Sequence, residues 1–454
     1  MLKSIILAAG EGKRMKSDTA KVLHKVCGKA IIDYVCDAVK GAGSEEQIVV
    51  VGNRSEQVVS HFGETVKFAM QEDRLGTAHA VMQAEQYLKE YDGDVIVMCG
   101  DTPLIQAETL KDAYKTFQES GCTGLVITAD LLDPFGYGRI VKDRDGSCRR
   151  IVEEKDATPA EQKISEINSG MYIFKARELF KTVFKVKNDN AQNEYYLTDV
   201  IEIMAREGKK VFTYTIENED EILGINDRIQ LSDANRIMNE RNVYQAMLNG
   251  VTVIDPDSTY IDSLSQIEYD TVLYPNCYIN NSKVGKGCVI GPDTSLDNMT
   301  VLSNVTIKKS TCMDSTVKNG TTVGPYAYIR PNSEIGENVK IGDFVEVKKS
   351  VIGNGTKVSH LTYIGDSEVG ERVNFGCGTV TVNYDGKNKF KTLIGDDVFI
   401  GCNTNLVAPV KVGNKAFIAA GSTITDNIPD KNFAIARERQ INKEGWKKKE
   451  VKNI

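Results

Sequence analysis

Residues 323–347 read VGPYAYIRPNSEIGENVKIGDFVEV. An aliphatic residue falls at every sixth position: Val323, Ile329, Ile335, Ile341 and Val347. Neither the helical period of 3.6 nor the strand period of 2 sustains such a step. One short strand and a turn per unit, stacked into a parallel β-helix, does. Each aliphatic residue then points inward. Gly follows it in Ile335-Gly336 and Ile341-Gly342, where tight turns need backbone freedom. One coil cannot bury its own inner face, so many must stack.

The same step extends both ways. Upstream lie Ile261, Ile267, Leu273 and Ile279; downstream lie Ile352, Val358 and Ile364, then Val369 and Phe375. A last run holds Ile394, Ile400, Leu406, Val412, Ile418 and Ile424. Between these runs, NYDGKNKFKT (383–392) breaks the rhythm. The upstream register would fall on Thr381 and Lys387, and the downstream phase is displaced by one. Asp385-Gly386 supplies a turn. The segment is expected to leave the wall and reach a bound substrate or a neighbouring subunit. After about residue 436 the chain turns basic, RERQINKEGWKKKEVKNI, with Arg437 and the sole Trp, Trp446. A solvated tail is the plain reading; the Trp gives a reason to expect docking.

Before residue 251 the pattern differs. Apolar or β-branched runs at 4–10, 47–52, 95–101, 124–129 and 171–176 alternate with helical candidates at 29–42, 77–91 and 106–120. That alternation implies a mainly parallel sheet with helices on both faces, and ligands beyond the carboxyl ends of its strands. Residues 229–248 read as a helix, capped by Ser232 or Asp233 and ended by Asn249-Gly250. The expected organisation is 1–228, a helical linker 229–250, and a repeat domain 251–454 with its basic tail.

The formal net charge is −7. It argues against a non-specific nucleic-acid partner. No apolar run approaches the roughly 20 residues of a membrane helix. MLKSIILAAG runs into a Gly-rich turn and not a cleavage site, so a cytoplasmic protein is expected. The ten cysteines form no CxxC pair and read as free thiols.

LAAGEGKRM (7–15) follows the first strand. Its glycines allow close backbone approach to phosphate oxygens, and Arg14 and Lys21 add positive charge. It fits neither the Walker spacing nor the dinucleotide GxGxxG. Together with Lys21, Gln71, LGTAHA (75–80), CGDTPL (99–104), YGRI (137–140), IVEEKDAT (151–158), INSG (167–170) and GIND (224–227), it resembles the sugar-nucleotide pyrophosphorylases. With the six-residue repeats, the chain resembles over nearly its whole length the bacterial bifunctional N-acetylglucosamine-1-phosphate uridyltransferase/glucosamine-1-phosphate N-acetyltransferase family.

The resemblance implies a Rossmann-like nucleotidyltransferase domain followed by a left-handed parallel β-helix. In the first, a sugar-1-phosphate oxygen attacks the α-phosphorus of UTP and pyrophosphate leaves, a problem of alignment and charge neutralisation. Asp101 and Asn226 resemble the Mg²⁺ ligands. Leu7, Ala8, Ala9, Gly10, Gln71, Gly76 and Thr77, with Gly100 beside them, resemble the uridine and phosphate cradle. Arg14 and Lys21 would steady the pyrophosphate, and Gly138, Glu153 and Asn168 the sugar. Glu11 departs from the pattern, standing where a Lys is common.

In the repeat domain, YIRPNSEIG (328–336), FVEVKKSVIG (344–353), KVSHLTYIGD (357–366) and NFGCGTVTVNYDGKNKFKT (374–392) match the acetyltransferase half. Acetyl transfer to an amine needs a base poised near neutrality, and His360 suits it. By resemblance, Arg330, Lys348, Tyr363, Asn374 and Lys389 hold glucosamine-1-phosphate. Cys377, Asn383, Tyr384, Cys402, Ala420 and Arg437 contact acetyl-CoA, with a backbone amide near Tyr384 on the oxyanion. Cys402 stands where some relatives carry Ser. The family also implies a homotrimer through the β-helix. Two rivals stand beside this reading: a monofunctional nucleotidyltransferase whose β-helix only regulates or assembles, and a non-enzymatic nucleotide-binding subunit.

Overall fold

The computed structural model describes residues 1–190 and 192–446; the end of the basic tail, residues 447–454, lies outside them. The chain divides into two compact units, Met1–Asn239 and Glu240–Ile454.

The first unit is built on β1 (Leu2–Ala8), β2 (Ser44–Val51), β3 (Lys67–Met70), β4 (Asp94–Cys99), β5 (Gly124–Asp130), β6 (Glu166–Lys175) and β7 (Val211–Ile216). The sheet order is β7-β5-β6-β4-β1-β2-β3. Only β6 runs against its neighbours in this order. Strands covered on both faces must be apolar on both, and Ile48 to Val51 and Val95 to Met98 are fully buried. One face is covered by α1 (Ile31–Gly41), α2 (Ser55–Phe62) and Ala107–Ser120, through Ile32, Val35, Val39, Val58, Leu110 and Phe117. The other is covered through Ala78, Val81, Leu179, Val183, Val200 and Met204.

Three local expectations change. The helix expected over 77–91 forms as two pieces, Thr77–Met82 and Glu85–Leu88. At the junction the Gln83 and Ala84 N–H groups bond three residues back, to Ala80 (3.2 Å) and Val81 (3.0 Å). Edge strands β3 and β7 were not legible, because one is four residues long and the other is only partly buried. The connector helix runs Arg228–Leu248 and starts before Ser232 and Asp233. Asp227 Oδ1 caps it instead, accepting from the Ile229 and Gln230 amides, both at 3.0 Å. Gln230 reaches back to the Asn226 N–H at 2.8 Å. This reciprocal exchange pins Asn226 at the helix start.

The second unit is a parallel β-helix with three ladders. One aligns Ile261, Ile279, Leu296, Cys312, Ile329, Val347 and Ile364. Another aligns Leu273, Ile290, Ile307, Val323, Ile341, Val358, Phe375, Ile400 and Ile418. The third aligns Ile267, Val284, Val301, Val317, Ile335, Ile352, Val369, Ile394 and Val412. All but Ile267 are buried and form one continuous core.

The rhythm does not stop at Thr381. That residue takes the next inward slot, fully buried, with its hydroxyl accepting from the Gly365 N–H at 2.8 Å. The chain leaves the wall at Asn383 and rejoins it in the strand Thr392–Ile394. Residues stacked across this coil are 25 apart, against 20 in the first coil and 16 to 18 in the others. The excursion is a small hairpin in which Tyr384 pairs antiparallel with Lys389. Asp385 Oδ1 accepts from the Lys387 and Asn388 amides (2.8 and 2.6 Å). Beyond the last coils, Trp446 is 74% exposed and does not dock in this chain.

Ile352 lies mid-ladder between Ile335 and Val369, with no exposed surface. Ile352→Ala is expected to destabilise the β-helix by about 2–5 kcal/mol, read from the urea midpoint of its unfolding. Ile435→Ala, at an exposed position, is expected to change it by under about 0.5 kcal/mol.

Candidate active sites

In the first unit, Leu7 lies beside Cys99 in the parallel pair β1–β4, so the loops after both strands leave at one edge. The Gly100 amide bonds back to Leu7 O at 2.9 Å. A cleft of about 280 Å³ opens there. It is lined by Leu7, Ala8, Ala9, Gly10, Lys21, Gln71, Gly76, Thr77 and Asp101, all expected from sequence, with Arg74 and Glu194 added. Gly76 cannot be replaced: its φ is +114°, and a Cβ would lie 2.5 Å from Tyr195 O. Gln71 is buried and donates to Gly76 O at 3.1 Å, which fixes its amide at the cleft wall.

Asp101 and Asn226 are brought together. The Ile225 amide bonds Asp101 O at 2.9 Å. The Lys21 ammonium pairs with Asp101 and donates to Asn226 Oδ1 at 3.2 Å. Two protein oxygens therefore already share one cation. Few oxygen ligands, with room for water and phosphate, suit Mg²⁺, so these residues fit that ion. Arg14 sits in the short turn of helix Lys13–Met15, exposed and not on the cleft wall. Glu11 is neutralised by Lys13 (2.6 Å) and Arg74 (2.5 Å). The departure at Glu11 thus carries its own countercharge, and Arg74 is the residue the motif did not show.

Gly138, Glu153 and Asn168 also converge. A Cβ on Gly138 would stand 3.6 Å from Asn168 Cβ and from Glu153 Cδ. Asn168 donates to the Tyr172 hydroxyl at 2.8 Å. Burial pushes the Glu153 carboxyl up, although the Thr198 hydroxyl, 3.5 Å away, opposes the shift. Glu153 and Asp199 line a neighbouring cavity of about 450 Å³. Burial, then repulsion by Glu202 and Asp156, raises Asp199 to about 6.

In the second unit, ladder register arranges the expected residues. Tyr328, Glu346 and Tyr363 form one outward column on successive coils, and Arg330, Lys348 and Gly365 a parallel one. Arg330 donates to Glu346 at 2.7 Å, which holds its guanidinium above the usual range. Lys348 Nζ reaches Asp366 at 3.4 Å. Asn383 donates to Asp366 at 2.5 Å and lies 3.4 Å from the Tyr363 hydroxyl. Gly365 leaves the space for this: a Cβ there would stand 2.3 Å from the Tyr363 hydroxyl. Lys389 returns from the hairpin against Lys348. Interaction between the two amines raises Lys348, with Asp366 adding to the effect, and lowers Lys389. Asn374 lies elsewhere, between Lys357 and Phe399 on another ladder.

His360 stands at a corner with Asp343 directly opposite on the preceding coil, Nδ1 to Oδ1 2.6 Å. Further coils put Cys377, Cys402 and Ala420 at the same corner, tied by Asn403 N to Cys377 O (2.7 Å) and Gly421 N to Cys402 O (2.8 Å). A Cβ on Gly421 would lie 3.8 Å from Arg437 Cδ, which puts Arg437 beside Ala420. The two hairpin bonds, Asp385 N to Asn388 O and Phe390 N to Asn383 O, flank Tyr384 and leave its N–H outside them. Glu346, Asp366 and Asp343 were missed from sequence. A coil length of 17 places Asp343 on His360, but that length follows from pairing and is not visible in a six-residue step.

Residues 3–220 match the nucleotidyl transferase family, residues 314–406 the GMPPB C-terminal domain, and residues 391–426 the bacterial transferase hexapeptide family of six repeats. The repeats identify the coil as a left-handed β-helix. The chain is 53% identical to the bifunctional protein GlmU of Acetivibrio thermocellus, across 98% of this chain and 97% of that one. It is 52% identical to the bifunctional protein GlmU of Thermoanaerobacter pseudethanolicus (99% and 98%), and 51% identical to that of Geobacillus thermodenitrificans (98% and 97%).

A raised carboxyl keeps its proton in the folded state while the unfolded chain ionises. The stability attributable to Asp199 therefore falls as pH rises from the ordinary carboxylate value of 3.8 through about 6. Asp199→Asn is expected to stabilise the first unit at pH 8, by about 1 kcal/mol once solvent screening is allowed for. The gain should vanish near pH 4, measured by denaturant titration at both values.

Proposed function

The chain belongs to the bifunctional GlmU family, and from that premise we propose how its residues share the work of two sites. It is a bifunctional transferase. The β-helix transfers acetyl from acetyl-CoA to glucosamine-1-phosphate; the first unit joins N-acetylglucosamine-1-phosphate to UTP, releasing pyrophosphate and giving UDP-N-acetylglucosamine for cell-wall synthesis. The observation that carries the reading is the presence of two separate constellations, the strand-edge cleft around Asp101 and the Arg330–Lys348–His360 surface.

At the first site the backbone of Leu7 to Gly10, with Gln71, Gly76 and Thr77, receives the nucleotide. Glu153, Asn168 and Gly138 orient the sugar. Lys21 and Arg74 on the cleft wall would face the phosphates, where charge spreads in the transition state, with Arg14 reaching in from the exposed turn outside that wall. Asp101 and Asn226 would hold Mg²⁺, which when bound neutralises phosphate charge. Lys21 is then free to turn from Asp101 to a phosphate oxygen.

At the second site Arg330, Lys348 and Lys389 grip the sugar phosphate. A dianion bound beside Lys348 and Lys389 would offset the mutual effect that lowers Lys389. The neutral amine attacks the thioester carbonyl while His360 takes its proton. The Tyr384 N–H, which lies outside the two hairpin bonds, would receive the tetrahedral oxyanion. Collapse breaks the C–S bond, and the proton passes to the departing CoA thiolate, leaving an amide. Tyr363 and Asn374 would complete the sugar contacts, Asn374 from a second ladder. Cys377, Asn383, Cys402, Ala420 and Arg437 would line the acetyl-CoA track. We propose a homotrimer packed through the β-helices and a cytoplasmic location; no helix among the described residues is long and apolar enough to cross a membrane.

His360→Ala is expected to lower acetyl-transfer kcat by about 10²–10⁴-fold and to leave pyrophosphate release from UTP unchanged. Wild-type CoA release in a folded variant would remove His360 from the chemistry. Asp101→Ala is expected to abolish Mg²⁺-dependent pyrophosphate release, with CoA release intact. Undiminished UTP turnover would refute the metal role of Asp101.

A further inference from the structure

We infer that Asp343 is a positioning residue for acetyl transfer: it holds His360 by Nδ1 and leaves Nε2 as the atom that takes the amine proton. The inference rests on the reading of His360 as the base. Asp343 and His360 are paired across consecutive coils, not merely near each other. Their side chains meet at 2.6 Å. A carboxylate only accepts hydrogen bonds. Asp343 is ionised, held below the usual carboxylate range chiefly by this bond, with Lys340 adding to it. Nδ1 therefore carries the hydrogen, and the lone pair is on Nε2.

The backbone repeats this arrangement on both coils. Phe344 and Leu361, the residues just after Asp343 and His360, both adopt left-handed φ (+55° and +40°). Bulky side chains rarely accept that conformation. Here the same corner is turned twice, so the two preceding side chains project in parallel. The Thr362 hydroxyl also donates to His360 O at 2.7 Å, which steadies the corner. The other charged or titratable groups on the strands around the pair are Lys340, Glu346 and Lys348 on the Asp343 strand, Lys357 and Tyr363 on the His360 strand, and Cys377 on the next coil. None of these is a second carboxylate on the imidazole.

The alternative is a passive polar stack, of the kind that Asn280 and Asp297 make at 2.9 Å on an earlier coil. A passive stack would not set a tautomer. The test uses the full-length enzyme labelled with ¹⁵N-histidine, which carries four imidazoles, and the variants Asp343→Ala, Asp343→Asn and His360→Ala. In the wild type, His360 should show Nδ1 protonated and Nε2 bare. Asp343→Ala should move the hydrogen to Nε2 and lower acetyl-transfer kcat at least ~10-fold, with both KM values within about twofold. Asp343→Asn, whose amide oxygen still accepts from Nδ1, should restore the tautomer and part of the rate. Unchanged kcat or an unchanged tautomer in folded Asp343→Ala would overturn the inference. If Asp343→Ala does not fold, an Asn variant with a wild-type tautomer and no gain over His360→Ala would do the same. Full activity of His360→Ala would instead defeat the underlying reading of the base.

Discussion

Backbone register between coils is the constraint on which the second unit depends. Each aliphatic residue that faces inward is aligned with one on the coil before and one on the coil after. The hydrogen bonds that enforce this, such as Arg330 N to Val347 O at 2.8 Å, also align whatever points outward. The hydrophobic column therefore dictates the polar ones. Arg330 stands over Lys348, Glu346 over Tyr363 and Asp343 over His360 because Ile329, Val347 and Ile364 stack inside. A register slip of one residue would turn every such group to the other face. The site is rigid because its scaffold is a packed core, not because its own contacts are strong.

The hairpin 383–391 shows what the constraint permits. An extra segment can leave the wall only between two strands that are themselves held, here Val380–Val382 and Thr392–Ile394. Its exit is fixed by Asn383, whose amide is tied to Asp366, and its tip is closed by Asp385. The segment can thus carry Tyr384 and Lys389 away from the lattice and still return them to it at a set place.

Much of this was legible. The six-residue step displays the β-helix directly, since no other structure produces it. A Gly-rich turn or a carboxylate after an apolar run is commonly no more than a turn, so the strand-edge loops of the first unit were legible only through the whole set of motifs in order. What remained hidden was pairing. Glu346, Asp366 and Asp343 sit 16 to 18 residues from their partners, and those separations vary from coil to coil. Arg74 was hidden for a related reason: its partner Glu11 is distant in sequence, and only folding shows that a departure from the family pattern carries its own cation. The excursion was visible as a fault, but its starting point was not. A buried Thr can take an aliphatic slot when a backbone amide satisfies its hydroxyl, and Thr381 does so.

The two sites share an electrostatic design that neither motif displays. Lys21 pairs with Asp101, Arg74 with Glu11, Arg330 with Glu346 and Lys348 with Asp366. A cation left unpaired in a partly desolvated cleft would raise the free energy of the ligand-free protein. Pairing removes that penalty and orients each side chain before substrate arrives. On the proposed assignments, the phosphates of UTP or of glucosamine-1-phosphate would exchange with a carboxylate for the same cation, so the net gain on binding would be a difference between two partners and not a full ion pair. Such exchange moderates affinity for the ground state. At the proposed nucleotidyl-transfer site, where the phosphate itself reacts, it would reserve the larger electrostatic gain for the moment when charge builds on the transferring group.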